Sequence, residues 1–134
     1  MAMSGINKRM LAKHGGKVCC FIADEDVAEA AKQNGTTRST ESMIKAAKIE
    51  GPVIFAIGNA PTALVQLYDM IREKKISPAL VIGVPVGFVN VVQAKELIMQ
   101  TEVPYIVARG RKGGSNVAAA ISNALLYILR DQMK

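Results

Sequence analysis

At 134 residues the chain has room for one domain and not two. Half of it is hydrophobic and 21% is charged, which excludes a disordered tail; aromatics at 4% with no Trp exclude a single-strand nucleic-acid binder built on stacked rings. Lys and Arg number 17 against 11 Asp and Glu, a net +6 that favours an anionic partner without saying whether it is nucleic acid, a phosphate or a polycarboxylate.

Residues 1–16 are basic, with Lys8, Arg9 and Lys13, and carry no pattern that assigns an element. Residues 17–23 hold the dense apolar run Val18-Cys19-Cys20-Phe21-Ile22, bounded by Gly-Gly and by acids, which predicts a buried strand. Asp24 or Asp26 can cap a helix over residues 27–33, which Asn34-Gly35 ends. Thr36-Thr37-Arg38-Ser39 opens another helix that Gly51-Pro52 stops. Residues 53–57 predict a second buried strand, and Gly58-Asn59-Ala60-Pro61 turns into a helix with Pro61 in its first turn. Ala63, Leu64, Leu67, Tyr68 and Ile71 make that helix's apolar stripe. A third strand covers residues 79–84, and Asn90 can cap a helix over residues 91–99. A fourth strand covers residues 104–108, and a very apolar helix covers residues 117–130.

Strand alternating with helix predicts an α/β fold: a parallel sheet with helices on both faces, in a single domain over residues 1–134. The longest apolar run, residues 78–92, is broken by Gly83, Pro85, Gly87 and Asn90, so no membrane span is expected. One His and two adjacent Cys cannot supply a zinc site, so no metal is expected. Cys19 and Cys20, pointing to opposite faces of a strand, would not pair, and free thiols without a secretory signal point to a reducing cytoplasm.

In an open parallel sheet, ligands bind beyond the carboxyl ends of the strands. Three strand ends here are unusual: Gly58-Asn59-Ala60-Pro61-Thr62, then Gly83-Val84-Pro85-Val86-Gly87-Phe88, then Arg109-Gly110-Arg111-Lys112-Gly113-Gly114-Ser115-Asn116. Small residues let a bulky ligand approach the backbone, and helix N-termini offer free N–H donors. The last loop sets Arg109, Arg111 and Lys112 beside a Gly-Gly pair, which suits carboxylate or phosphate. It is neither a P-loop nor a dinucleotide fingerprint. Pattern alone leaves open whether it binds an anion or is a solvated basic turn.

Arg38 opposes the dipole of the helix it opens, which becomes reasonable if an anion binds beside it; a solvated arginine is the plainer alternative. His14 precedes the first predicted strand, at the amino end of the sheet and so away from the site, and reads as a loop residue. Asp24, Glu25 and Asp26 read as complements to a helix start rather than a metal cluster, and Met43, Met70 and Met99 read as core fillers. With a single His in that place, no nucleophile–base pair is assigned.

The same loops carry a resemblance. Residues 56–64 (Ala-Ile-Gly-Asn-Ala-Pro-Thr-Ala-Leu), Gly83-Val84-Pro85-Val86-Gly87-Phe88-Val89 and Arg109-Gly110-Arg111-Lys112-Gly113-Gly114-Ser115 resemble the precorrin-8X methylmutase family, the precorrin isomerases that include the cobalt-precorrin-8 methylmutases. Gly5-Ile6-Asn7-Lys8-Arg9 and Thr37-Arg38-Ser39 match as well, and the resemblance runs over nearly the whole chain. Gln93-Ala94, ahead of Lys95-Glu96, departs from the family's Glu-Ser.

The resemblance implies an isomerase of corrin (vitamin B12) biosynthesis, moving a methyl group from C-11 to C-12 of a carboxylate-rich macrocycle. It implies a parallel α/β sheet, a homodimer, a small-molecule corrinoid as partner and no redox or nucleotide cofactor. Carried over residue by residue, it implies Arg38 as an anion contact flanked by Thr37 and Ser39. Gly58, Asn59, Ala60 and Pro61 would line the ring, with Pro85, Val86, Gly87 and Phe88, and Arg109, Arg111, Lys112, Gly113, Gly114 and Ser115 would shape the last wall. The family's proton-donating His lies in an amino-terminal segment with no counterpart here, and His14 does not match it. General-acid help is worth ~10²–10⁴-fold, so the chain by itself is expected to bind with little or no turnover. The alternatives are a non-catalytic tetrapyrrole or polyanion-binding module and, more remotely, a nucleic-acid binder, against which the spread charge and few aromatics speak.

Overall fold

The local signals assemble into three parallel strands and six helices among the residues described, 5–87 and 90–132, in a computed structural model. In chain order these are α1 (Lys8–Lys13), α2 (Glu25–Asn34), α3 (Arg38–Ala46), β1 (Ile54–Ile57), α4 (Pro61–Arg72), β2 (Leu80–Gly83), α5 (Val91–Met99), β3 (Tyr105–Val107) and α6 (Ser115–Gln132). The sheet order is β1-β2-β3, with Phe55 beside Val81 and Val81 beside Tyr105. Side chains alternate across the pleat, so each face takes every second residue.

One face presents Phe55, Ile57 and Val81 to Leu64, Leu67 and Met70 of α4 and to Ala94 and Ile98 of α5. The other presents Ile82, with Ala56 and Leu80, to Ala118, Ile121 and Leu125 of α6. A single helix does not cover the second face completely, and Ile54 stays 55% exposed at its edge. The far end of α6 likewise leaves Tyr127, Ile128 and Leu129 in the open. No helix among the described residues is long and apolar enough to cross a membrane.

The strand expected over residues 17–23, the first of the four in chain order, does not form. Residues 17–21 carry no regular structure, residues 22 and 23 turn, and the thiols of Cys19 and Cys20 are exposed. An apolar run becomes a strand only when a neighbour takes its N–H and C=O groups into a ladder, and no ladder reaches it among the described residues. Phe21 instead packs against the main core, with the Lys45 ammonium 5.0 Å from its ring centre. Without that strand His14 does not lead into the amino end of the sheet; it caps the end of α1 and is half-buried.

Helix α1 was not legible in advance. The Asn7 side chain caps it by accepting from the Met10 N–H at 3.1 Å. A second amide anchors it: Asn7 N–H donates to Asn123 Oδ1 at 2.7 Å, and Asn123 Nδ2 donates to the Gly5 carbonyl at 2.9 Å. The start of the described chain is thereby fastened to α6, more than a hundred residues away in sequence.

The acids before α2 do stand at its start, but Asp24 makes no capping bond. Asp24 and Asp26 hold Lys45 of α3 at 2.7 and 3.0 Å. The Lys45 bonds lower the pKa of Asp26, and Asp24 and Asp26 raise that of Lys45. Exposed pairs of this kind contribute little stability.

Glu41 is buried at 6% exposure and accepts from Thr36 Oγ1 at 2.7 Å and Asn34 Nδ2 at 3.0 Å. Those bonds, Thr36 first, hold its carboxyl below the ordinary value of 4.5. A depressed folded pKa contributes stability above the unfolded pKa and loses it as pH falls through the folded one. The stability lead of wild type over Glu41→Gln in urea denaturation is therefore expected to be level at neutral pH and to shrink below pH 4.5. A lead that stays equal as the pH is taken down from neutrality until the folded carboxyl titrates would contradict it.

Candidate functional site

Because β1, β2 and β3 are parallel, the turns that follow them emerge on one rim. The contacts between the turns are tight. A Cβ on Gly58 would lie 2.6 Å from the Ser115 Cα and 2.9 Å from the Gly114 carbonyl, so the first turn abuts the third. Gly113 lies against the Val84 and Pro85 carbonyls, and Gly114 N–H donates to the Val84 carbonyl at 2.8 Å. Gly87 N–H reaches the Arg111 carbonyl at 3.3 Å. The third turn is thus laid across the other two.

This changes what two of the glycines are for. Gly58 and Gly113 lack side chains because neighbouring backbone occupies that space, not to leave room for a guest. Pro85 is fully buried beneath the same crossing. Asn59, Val86, Arg109, Arg111 and Lys112 are exposed, while Ala60, Pro61, Gly87, Gly114 and Ser115 are partly so. Phe88 lies outside the described residues.

The open space lies to one side of the crossing. A groove of about 380 Å³ runs between α3, α4 and α5, lined by Thr40, Pro61, Thr62, Gln66, Asn90 and Gln93 among others. Pro61 belongs to the first turn and Asn90 stands at the N-cap of α5, so the groove opens from the rim. Thr40 belongs to the first turn of α3, which Thr37 Oγ1 caps by accepting from the Thr40 N–H at 3.1 Å. Arg38, exposed, and Ser39, half-buried, follow Thr37 directly. The structure therefore brings Thr40, in the first turn of α3, to Pro61 and Thr62 and to the start of α5, a proximity that strand ends alone do not supply.

Arg109 has a partner that was not foreseen. Its Nε and a terminal nitrogen meet Glu96 of α5 at 3.1 and 3.3 Å. The next residue back holds the more consequential surprise. Lys95 is fully buried, and its ammonium donates to the carbonyls of Ala108, Gly110 and Lys112 at 2.6, 2.7 and 2.8 Å. An ammonium has three N–H donors, and all are used. Burial pushes its pKa below the ordinary lysine value. The signal was present in the sequence: Lys95 shares a helical face with Val91, Ala94 and Ile98, and a lysine on an apolar stripe calls for buried acceptors.

Comparison with known proteins follows the same outline. The family model of the precorrin-8X methylmutases matches residues 1–128. A cobalt-precorrin-8 methylmutase of Salmonella typhimurium is 50% identical over 132 residues, covering 98% of this chain and 61% of the relative. Another, from Leptospira interrogans, is 47% identical over 136 residues, covering 96% and 62%. A solved structure of a precorrin-8X methylmutase from Thermus thermophilus matches with a TM-score of 0.86 and 36% identity, over 98% of this chain and 64% of that one. The chain spans about three fifths of the length of these relatives, whose remaining length is a longer amino-terminal region.

Proposed function

Because the chain belongs to the precorrin-8X methylmutase family, we propose that it serves as an isomerase of corrin biosynthesis. The reaction is migration of a methyl group from C-11 to C-12 of precorrin-8 or cobalt-precorrin-8, giving hydrogenobyrinate or cobyrinate. The observation that carries this reading is the single rim on which three family-like turns meet, with a net-basic loop laid across it and, beside it, a groove of mixed polar and apolar lining. A broad macrocycle with carboxylate arms needs both a long edge to rest on and cations or N–H groups for its acids.

In this reading Arg38 takes a carboxylate at the groove mouth, with Thr37 and Ser39 beside it. Asn59, Ala60 and Pro61 line the ring along the first turn, and Val86, Gly87 and Phe88 along the second. Gly58, Pro85 and Gly113 act from beneath by holding the turns together. Arg109, Arg111, Lys112, Gly114 and Ser115 form the last wall. These residues bind and orient; proton transfer to the ring is assigned to none of them. No redox or nucleotide cofactor is required. Residues 1–134 act as one precorrin isomerase-like unit, in the cytoplasm and as a homodimer, and the exposed apolar end of α6 supports the self-association.

Absorbance titration with hydrogenobyrinic acid tests the binding, and conversion of precorrin-8 tests the chemistry. A perturbed, saturable spectrum is expected, and an unperturbed one overturns the corrin reading. The chain by itself is expected to bind with little or no conversion; conversion recovered on adding the amino-terminal region of a relative supports the isomerase, and none recovered matches a non-catalytic corrinoid carrier. Arg38→Ala is expected to weaken the complex about 10–100-fold, the loss of one charge-assisted hydrogen bond. An unchanged dissociation constant removes Arg38 from the site.

A further inference from the structure

Lys95 sits inside the protein as a cation without an anion. Among the described residues no carboxylate meets it, and its three bonds go to backbone carbonyls of one loop. Those carbonyls belong to alternate residues, Ala108, Gly110 and Lys112, so the loop curls around the ammonium as a binding loop curls around a metal ion. The Arg111 carbonyl, between two of them, is engaged elsewhere and accepts from Gly87 of the second turn. The side chains of Arg109, Arg111 and Lys112 are exposed.

A buried charge is tolerated only where its hydrogen bonds are complete, and an apolar side chain of the same length would fill the space at lower cost. The choice of lysine here is therefore explained by what the ammonium does to the loop. It draws three carbonyl oxygens inward, which leaves a chain of three basic residues outermost on the rim. It also keeps those oxygens, which would repel a carboxylate, away from the surface.

We propose that Lys95 is a positioning residue for the rim: its buried ammonium acts as an internal cation that shapes residues 108–112 and so sets the affinity of the site for an acid-bearing ligand. The second half of this rests on the reading of the rim as a polycarboxylate site. The first half does not.

The two halves are separated by two measurements on the full chain. Hydrogen exchange followed by mass spectrometry reports the order of residues 108–116, and absorbance titration with hydrogenobyrinic acid reports affinity. Lys95→Met keeps the apolar stem and removes the ammonium. It is expected to leave exchange in α4 unchanged, to speed exchange in residues 108–116 about 10-fold, and to weaken binding by about the same factor. Lys95→Ala supplies the independent arm if the methionine variant folds poorly. In Lys95→Ala, propylammonium, which resupplies an alkyl stem and three N–H donors, is expected to restore loop order and affinity together, whereas tetramethylammonium, which donates none, restores neither.

Unchanged exchange at residues 108–116 in Lys95→Met overturns the proposal, since packing of the stem would then suffice. A loosened loop with full affinity overturns the positioning role. If the wild-type chain does not bind hydrogenobyrinic acid while Lys95→Met still loosens the loop, the corrin reading fails and the hold of Lys95 on the loop stands.

Discussion

Replacing Gly113 by alanine is expected to lower the melting temperature by about 10 °C, corresponding to roughly 3 kcal/mol for a chain of this size. The new methyl group would be driven into the Val84 carbonyl, and the Pro85 carbonyl stands 3.1 Å from it on the same side. Neither obstacle is a flexible side chain that can swing away. The third turn would have to lift, and lifting it breaks the bond from Gly114 N–H to that same Val84 carbonyl. Gly110→Ala provides the comparison. Gly110 has a positive φ of 91° but nothing within 4 Å of an added Cβ, so backbone strain of about 1–2 kcal/mol is its whole cost. Thermal melts of the two variants side by side decide the matter. Equal losses would mean that conformation, not crowding, explains the glycine at 113.

Leu64→Ala is expected to cost about 2–5 kcal/mol, the range for emptying a fully buried leucine site. Leu64 is 0% exposed and lies in the core between α4 and the sheet. It also explains Gly83, the last residue of β2. A Cβ there would come within 3.3 and 3.4 Å of the two Leu64 methyl groups, so the strand leaves out a side chain where the helix inserts one. The two positions should therefore couple. Gly83→Ala is expected to destabilise the wild type, and to do so less, by about 1 kcal/mol, in the Leu64→Ala background, where the added methyl occupies vacated space. Strictly additive losses in chemical denaturation would show that the two residues do not share that space.

Both substitutions act on the layer beneath the rim, and they separate its two supports. Gly113 governs how the third turn crosses the others; Leu64 governs how α4 seats the first turn against the sheet. A corrinoid titration of each variant, at a temperature where it remains folded, then shows which support the ligand depends on more.

Much of this architecture was readable residue by residue. The three apolar runs that became β1, β2 and β3 are each followed by turn residues, and the turns led directly to the rim. Pro61 opens α4, Thr37 caps α3 and Gly35 closes α2 at φ 64°, each for reasons internal to a few neighbouring residues. The placement of Thr40, in the first turn of α3, beside Pro61 and Thr62 followed only from the packing of α3 on α4.

What the chain alone determined is what depends on short-range physics: periodicity, caps, turns and the direction of a parallel sheet, and hence the edge where a ligand would meet it. The three-dimensional packing decided the rest, because pairing partners and buried charges are satisfied by residues distant in sequence. An apolar stretch at residues 17–23 found no ladder to join among the described residues. Asn7 found its partner at Asn123. The loop after β3 took its shape from a lysine thirteen to seventeen residues earlier, since only in the folded state can a charge with no counter-ion be brought to three carbonyls at once.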